Sequence, residues 1–208
     1  MGGGQKLAIF PLSGGAWPVT NNCMRLTKLT YLSLAVLLAT FRTAAAGEFP
    51  DEWFWDSKPE QRAAHAALEG KPMPSFAGLS EWMNGGLSAA DLKGKVLVVD
   101  FYATWCGPCM AAIPHNKEML KEYGPKGLLL VGICTSSRGQ EKFAANAQQH
   151  NVTYPIARDA TQKVGKAWGA LYYPTYAVVD RKGTVRAVGL RTGQVEEVVK
   201  KLLAEPAS

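Results

Sequence analysis

Residues 96–102 of the 208-residue chain read Val-Leu-Val-Val-Asp-Phe-Tyr, an apolar run interrupted by one acid. A half-exposed strand alternates apolar with polar residues, whereas a strand covered on both faces is apolar throughout. The run therefore needs helices above and below it, and the flanking sequence supplies them. Cys106 to Tyr123 reads as a helix stopped by Gly124-Pro125, Gly127 to Cys134 as a second buried strand, and Gln140 to His150 as another helix. Tyr154 to Ala157 is expected as a short strand and Thr161 to Trp168 as a helix. Thr175 to Asp180 and Thr184 to Val188 form a hairpin across Arg181-Lys182-Gly183, and Gln194 to Ala204 closes the chain as a helix. The order β-α-β-α-β-α-β-β-α predicts the α/β class, with a central mixed sheet and helices on both faces.

Charge does not point to a nucleic-acid partner. The formal +6 is carried largely by Lys6, Arg25, Lys28 and Arg42, which precede residue 47 without any acid, so the remainder is near neutral. Those residues frame a leader instead. Met24-Arg25-Leu26-Thr27-Lys28 is a short basic segment, Leu29 to Phe41 is apolar, and Ala44-Ala45-Ala46 offers small residues for cleavage. The apolar run falls short of the roughly 20 residues of a membrane span. The sequence thus predicts a misassigned, disordered start over 1–23, a secretory signal over 24–46 and an exported, extracytoplasmic product, with an uncleaved anchor as the alternative. An N-terminal extension over 47–71 is expected to precede a main domain over 72–204 and a tail over 205–208.

The extension opens with an aromatic and acidic cluster containing Phe49, Trp53, Phe54 and Trp55. A short helix follows, with Ser57 as its expected N-cap, Pro59 in its first turn and Gly70 at its end. Trp53 and Trp55 are expected to pack on the domain body, with a partner-binding patch as the other possibility. His65 is expected to face solvent.

Removal of a leader would leave Cys106, Cys109 and Cys134, an odd number that suits one pair and one leftover thiol better than a disulfide framework. Cys106-Gly107-Pro108-Cys109 opens a helix directly after a buried strand. At that position the unpaired N–H groups and the positive end of the helix dipole favour a thiolate at Cys106, and the pKa in such motifs falls from about 8.5 toward 7 or below. Cys109, almost one turn on, is placed to resolve a mixed disulfide, and Pro108 suits the first turn because no helical bond needs its N–H. A zinc site would need further ligands at fixed spacing; Cys134 stands alone, and His115 and His150 are isolated on expected helices. A structural disulfide is the remaining possibility, although so short a loop constrains an unfolded chain little. Haem attachment requires a histidine where Met110 stands.

The pentapeptide Trp105-Cys106-Gly107-Pro108-Cys109 resembles the active site of the thioredoxin superfamily. Asp100 resembles its buried aspartate, Pro114 the proline that kinks its active-site helix, and Tyr173-Pro174-Thr175 its cis-proline loop. Gly70-Lys71-Pro72-Met73-Pro74-Ser75-Phe76, Leu92-Lys93-Gly94-Lys95 and an inserted helix-strand unit around Gln140 to Asp159 are similar to the TlpA/ResA-like exported branch, related to alkyl hydroperoxide reductase and thiol-specific antioxidant proteins. The resemblance covers about residues 70–204 and implies a thioredoxin-like fold. It implies a redox-active Cys106–Cys109 disulfide without any cofactor or metal, with Asp100 relaying a proton and Pro174, if cis, exposing backbone for an extended substrate. Trp105, Gly107, Pro108, Tyr173 and Thr175 would line the substrate. Four features depart from the pattern: Ala112 stands where the branch often has a glutamate, Asp100 stands where the branch commonly lacks an aspartate, Leu128 to Ser137 lacks the lysine that thioredoxins place beside that aspartate, and Tyr173 is bulkier than the usual aliphatic residue before the proline. Cys134 is expected to be a buried, inert thiol.

The implied activity is thiol–disulfide exchange on protein disulfides outside the cytoplasm, in the reducing direction that Gly107-Pro108 suggests, contributing to redox homeostasis. Its implied partners are disulfide-containing proteins and a transmembrane thiol electron donor, and the chain is expected to be a monomer without nucleic acid. The alternatives are a thiol peroxidase, whose Pro-x-x-x-Thr-x-x-Cys arrangement does not precede Cys106, and a noncatalytic binding module.

Overall fold

The computed structural model describes residues 48–56 and 58–206. Within them six strands, β1 (Ser80–Met83), β2 (Val96–Tyr102), β3 (Leu128–Cys134), β4 (Ile156–Arg158), β5 (Thr175–Val179) and β6 (Val185–Leu190), make one sheet in the order β1-β4-β3-β2-β5-β6. Strand β2 lies inside the sheet, parallel to β3 and antiparallel to β5, and all seven of its residues are buried. Its apolar run is thus explained by its place: neither face nor edge meets water.

The alternation of β2 side chains divides the core in two. Val96, Val98 and Tyr102 join Ile113 and Met119 of α3 (Gly107–Tyr123), Phe143 of α4 (Phe143–Gln149), and Val195, Val198 and Leu202 of the C-terminal helix Thr192–Ala204. Leu97, Val99 and Phe101 point the other way, toward Val164 in α5 (Lys163–Ala167) and Trp168 at its end. Trp168 is fully buried and stacks on Phe76 with ring centres 5.1 Å apart. The helices preceding these are α1 (Pro59–Ala66) and α2 (Ala89–Leu92), and the C-terminal one is α6.

The expected mixed α/β sheet is present, with three local differences. Strand β1 was not expected, because Ser-Glu-Trp-Met is short and only half apolar; it pairs with β4 at the sheet edge, where one-sided cover suffices. Helix α2 is announced by Ser88, whose hydroxyl accepts from the Asp91 N–H while the Asp91 carboxylate accepts from the Ser88 N–H. The expected helix Gln140 to His150 begins as a 3-10 turn over Gln140–Lys142.

The extension corrects one expectation outright. His65 is fully buried, not solvent-facing. Its Nδ1 lies 2.8 Å from Asp56 Oδ1 and its Nε2 2.7 Å from the Gly169 carbonyl oxygen, while the Tyr172 hydroxyl donates to the same Asp56 oxygen at 2.9 Å. Gly189 makes room for this cluster: at φ +87° it has no side chain, and a Cβ there would run into His65 Nδ1 and come within 2.8 Å of the Tyr172 hydroxyl. Helix α1 starts with Pro59 after Lys58, which gives no side-chain cap, and ends at Ala66 before Gly70. Trp53 packs as expected, stacked on Phe49, whereas Trp55 is exposed. The 1–23 start, the 24–46 leader and Ser57 lie outside the described residues.

Candidate active site

Cys106 is the N-cap of α3, and its Sγ accepts the Cys109 N–H at 3.2 Å. Chain direction explains the placement: β2 ends at Tyr102, the turn Ala103–Trp105 follows, and the helix starts at once with Pro108 early in its first turn. Cys106 and Cys109 are joined as a disulfide with Cα atoms 5.3 Å apart. Both cysteines are buried, but Trp105 beside them is exposed. The Trp105 indole donates to Ser136 Oγ at 3.1 Å and meets Tyr173 edge-on, with ring centres 6.0 Å apart. The Tyr173–Pro174 peptide is cis, and the Thr175 hydroxyl donates to the Tyr172 carbonyl, tying off the loop. Tyr173 therefore links the cis-proline loop to the tryptophan that precedes the disulfide.

Beneath the disulfide lies Asp100, on the inner strand β2 and buried. Cys109, Ala112, Ile113 and Asn116 share the buried face of α3 at helical spacing, which carries Asn116 two turns below Cys109. The Asn116 amide donates to Asp100 Oδ2 at 2.9 Å, and the Tyr176 hydroxyl reaches the same oxygen at 3.4 Å. Asp100 Oδ1 is buried without a partner. Desolvation pushes the Asp100 carboxyl from 3.8 up to about 7, against the opposing pull of the Asn116 and Tyr176 hydrogen bonds. Asp100 and Cys109 also line one small cavity of about 10 Å³ with Asn146 and Tyr154, space for about one water molecule. A carboxyl that titrates near neutrality thus faces the same small cavity as the second cysteine.

Sequence reasoning brought Asp100, Trp105, Cys106, Gly107, Pro108, Cys109, Tyr173, Pro174 and Thr175 to this region, and they are found around it. It missed Asn116 and Tyr176. The missing lysine was the available signal: without a cation on β3, the carboxyl takes neutral donors from α3 and β5. In β3 the residue opposite Asp100 is Gly132, where a Cβ would come within 3.0 Å of Ile156 and 3.3 Å of Tyr102. Ala112 is buried in the helix face. Cys134 lies buried at the end of β3, where burial pushes its thiol up to about 11.

Residues 68–203 match the Redoxin family. The chain belongs to the Redoxin family. Among relatives of this Redoxin chain, the thioredoxin-like protein YneN of Bacillus subtilis is 29% identical over 64% of the chain and 78% of its own length. The thiol-disulfide oxidoreductase ResA of Bacillus thuringiensis subsp. konkukian is 28% identical, again over 64% of the chain and 78% of the relative. Among solved structures, a thioredoxin-like protein in its oxidized form superposes with a TM-score of 0.57 at 27% identity, over 64% of this chain and 95% of that one. The Redoxin domain thus has the thioredoxin-like fold of the TlpA/ResA-like group.

Proposed function

We propose that this thiol–disulfide oxidoreductase reduces protein disulfides outside the cytoplasm, with Cys106 as nucleophile and Cys109 as resolving thiol. The observation that carries the reading is the meeting of three features: a cysteine pair at a helix N-terminus, a cis-proline loop whose Tyr173 meets Trp105, and a carboxyl pushed by burial up to about 7 that shares a cavity with Cys109. In the reduced enzyme the Cys106 thiolate attacks one sulfur of the client disulfide. The client S–S bond breaks, the first client sulfur leaves as a thiolate, and a Cys106–client mixed disulfide forms. Asp100 then takes the Cys109 proton, directly or through one water. The Cys109 thiolate attacks Cys106 Sγ, releases the second client sulfur, and leaves the enzyme oxidised, the state described here. The two electrons are restored by a dithiol donor, which for an exported reductant is a transmembrane thiol carrier.

Support for the reducing direction comes from Gly107-Pro108, the dipeptide of thioredoxins whose potential lies near −270 mV, against about −120 mV for strongly oxidising relatives. Extracytoplasmic action is supported by the leader pattern at 24–46. In an insulin-disulfide assay Cys106→Ser is expected to abolish turnover and Cys109→Ser to accumulate mixed disulfides with clients. Retained turnover in Cys106→Ser overturns the assignment, and a measured potential near −120 mV reverses its direction.

A further inference from the structure

Leu171, Trp105 and Trp55 are large apolar residues that stay exposed among the described residues, at 50, 49 and 49%. Apolar side chains scattered singly on a surface need no explanation, but a group gathered in one place marks an interaction site. Leu171 lies on the loop 171–174, and Trp105 and Trp55 each adjoin that loop through one neighbour. Leu171 opens the stretch that leads through Tyr172 and Tyr173 to cis Pro174, and Trp105 meets Tyr173 edge-on. Trp55 adjoins Asp56, which accepts the Tyr172 hydroxyl at 2.9 Å. The β5–β6 register sets Leu190 opposite Tyr176, so Arg191 leaves the sheet beside Thr175, one residue from Pro174.

Each tryptophan carries an arginine. The Arg138 guanidinium lies 4.0 Å from the ring centre of Trp105, and that of Arg191 lies 4.6 Å from the ring centre of Trp55. Arg62, Arg158 and Arg186 pair with carboxylates and Arg181 donates to the Gly94 and Leu203 carbonyls, whereas Arg138 and Arg191 pair with no carboxylate among the described residues, Arg191 Nε donating to the Phe54 carbonyl at 3.1 Å. A guanidinium held in place by stacking and free of a carboxylate presents a preorganised fork to one.

The extension is fixed against this loop rather than draped over it. The Trp55 N–H donates to the Gly189 carbonyl at 2.9 Å, and the Arg191 N–H donates to the Trp53 carbonyl at 2.8 Å. Phe54 bridges to Leu190 as a short antiparallel addition to β6. His65, between Asp56 and the Gly169 carbonyl, closes the same cluster from α1. Residues 53–56 are thus held beside the cis-proline loop by backbone and buried side-chain contacts.

We propose that Trp105, Leu171 and Trp55 form one client-docking face, so that the N-terminal extension is part of the site, and that it receives a disulfide-bearing polypeptide with apolar residues beside its cysteine and a carboxylate on its flank. This rests on the reductase reading above and extends it to the class of client. The occupant follows from continuity with the reactive disulfide, from the aromatic and arginine composition typical of interface anchors, and from two guanidinium groups lacking a carboxylate.

The test uses the full chain, pre-reduced, in single turnover against three disulfides. Two are symmetric peptide disulfides with Leu-Cys-Glu or Leu-Cys-Gln at the linkage, and the third is 2,2′-dithiodipyridine, small and neutral. Trp55→Ala is expected to lower the rate constant for the Leu-Cys-Glu disulfide roughly tenfold, as loss of an interface anchor does, while its rate with dithiodipyridine stays with that of the parent chain. The double variant Arg138→Gln, Arg191→Gln is expected to remove the preference for Leu-Cys-Glu over Leu-Cys-Gln. An unchanged peptide rate in Trp55→Ala, an equal loss with dithiodipyridine, or a preference that survives the double variant overturns the proposal. Failure of the reductase reading is seen separately, as a parent chain inert toward dithiodipyridine or a Cys106→Ser variant as fast as the parent.

Discussion

Replacing Asp100 by asparagine changes stability in a way that depends on pH, and the size follows from the burial of one carboxyl. Burial raises the Asp100 pKa from 3.8 to about 7, so between those values the folded chain holds a proton that the unfolded chain has lost. The sign is set by that difference. The Asp100 contribution to stability is greatest below about pH 4, falls as pH rises toward 7, and is flat above, because at this group the native state binds more protons throughout the interval. Each pKa unit is worth about 1.36 kcal/mol, so the interval from 3.8 to about 7 costs about 4 kcal/mol at alkaline pH. That is a large part of the 5–15 kcal/mol typical of a domain. Asparagine keeps the shape and cannot ionise, so Asp100→Asn loses the slope. Urea unfolding of the oxidised chain at pH 4, 7 and 9, with the disulfide intact so that neither Cys106 nor Cys109 titrates, reads the difference directly from ΔG in water. The variant is expected to gain about 4 kcal/mol on the parent between pH 4 and 9. Parallel pH curves for the two proteins refute the raised pKa and, with it, Asp100 as the proton acceptor for Cys109.

Asn116→Leu removes the nearer donor to Asp100 and is expected to move the carboxyl above its present value of about 7. The pH midpoint for resolution of a Cys106 mixed disulfide, followed by stopped flow, should rise accordingly; an unmoved midpoint places the proton elsewhere. His65→Leu removes the ring nitrogens that meet Asp56 and the Gly169 carbonyl, while Arg62 and Tyr172 stay on Asp56, and is expected to cost about 1–3 kcal/mol in urea unfolding. A loss within 0.5 kcal/mol, the usual range for surface substitutions, contradicts the buried pair.

Legibility in the sequence followed the range of the interactions involved. The apolar run of β2 announced its own burial, and Cys106-Gly107-Pro108-Cys109 announced a helix N-terminus, because these signals lie within a few consecutive residues. Ends of elements shifted where a neighbour decided them: β6 runs on to Leu190 because β5 continues to pair with it at Tyr176. Strand β1 carried too little apolar pattern to be seen, since its existence depends on the free edge of β4. His65 was misjudged for the same reason: nothing in Arg62 to Ala66 indicates that Asp56, Gly169, Tyr172 and Gly189 close around it.

The sequence by itself determined a cysteine pair opening a helix and an acid on a buried strand, since both depend on local chain direction and apolar pattern, while the proline loop was read from the family resemblance. Only the tertiary structure decided what surrounds them. Asn116 and Tyr176 reach Asp100 from positions 16 and 76 residues away along the chain. Asp56 reaches Tyr172 across a separation of 116 residues, making the N-terminal extension a neighbour of the cis-proline loop. Such partners are chosen by how helices and strands pack on the sheet, and a carboxyl's proton affinity depends on that packing because it is set by lost water and by the few donors that replace it.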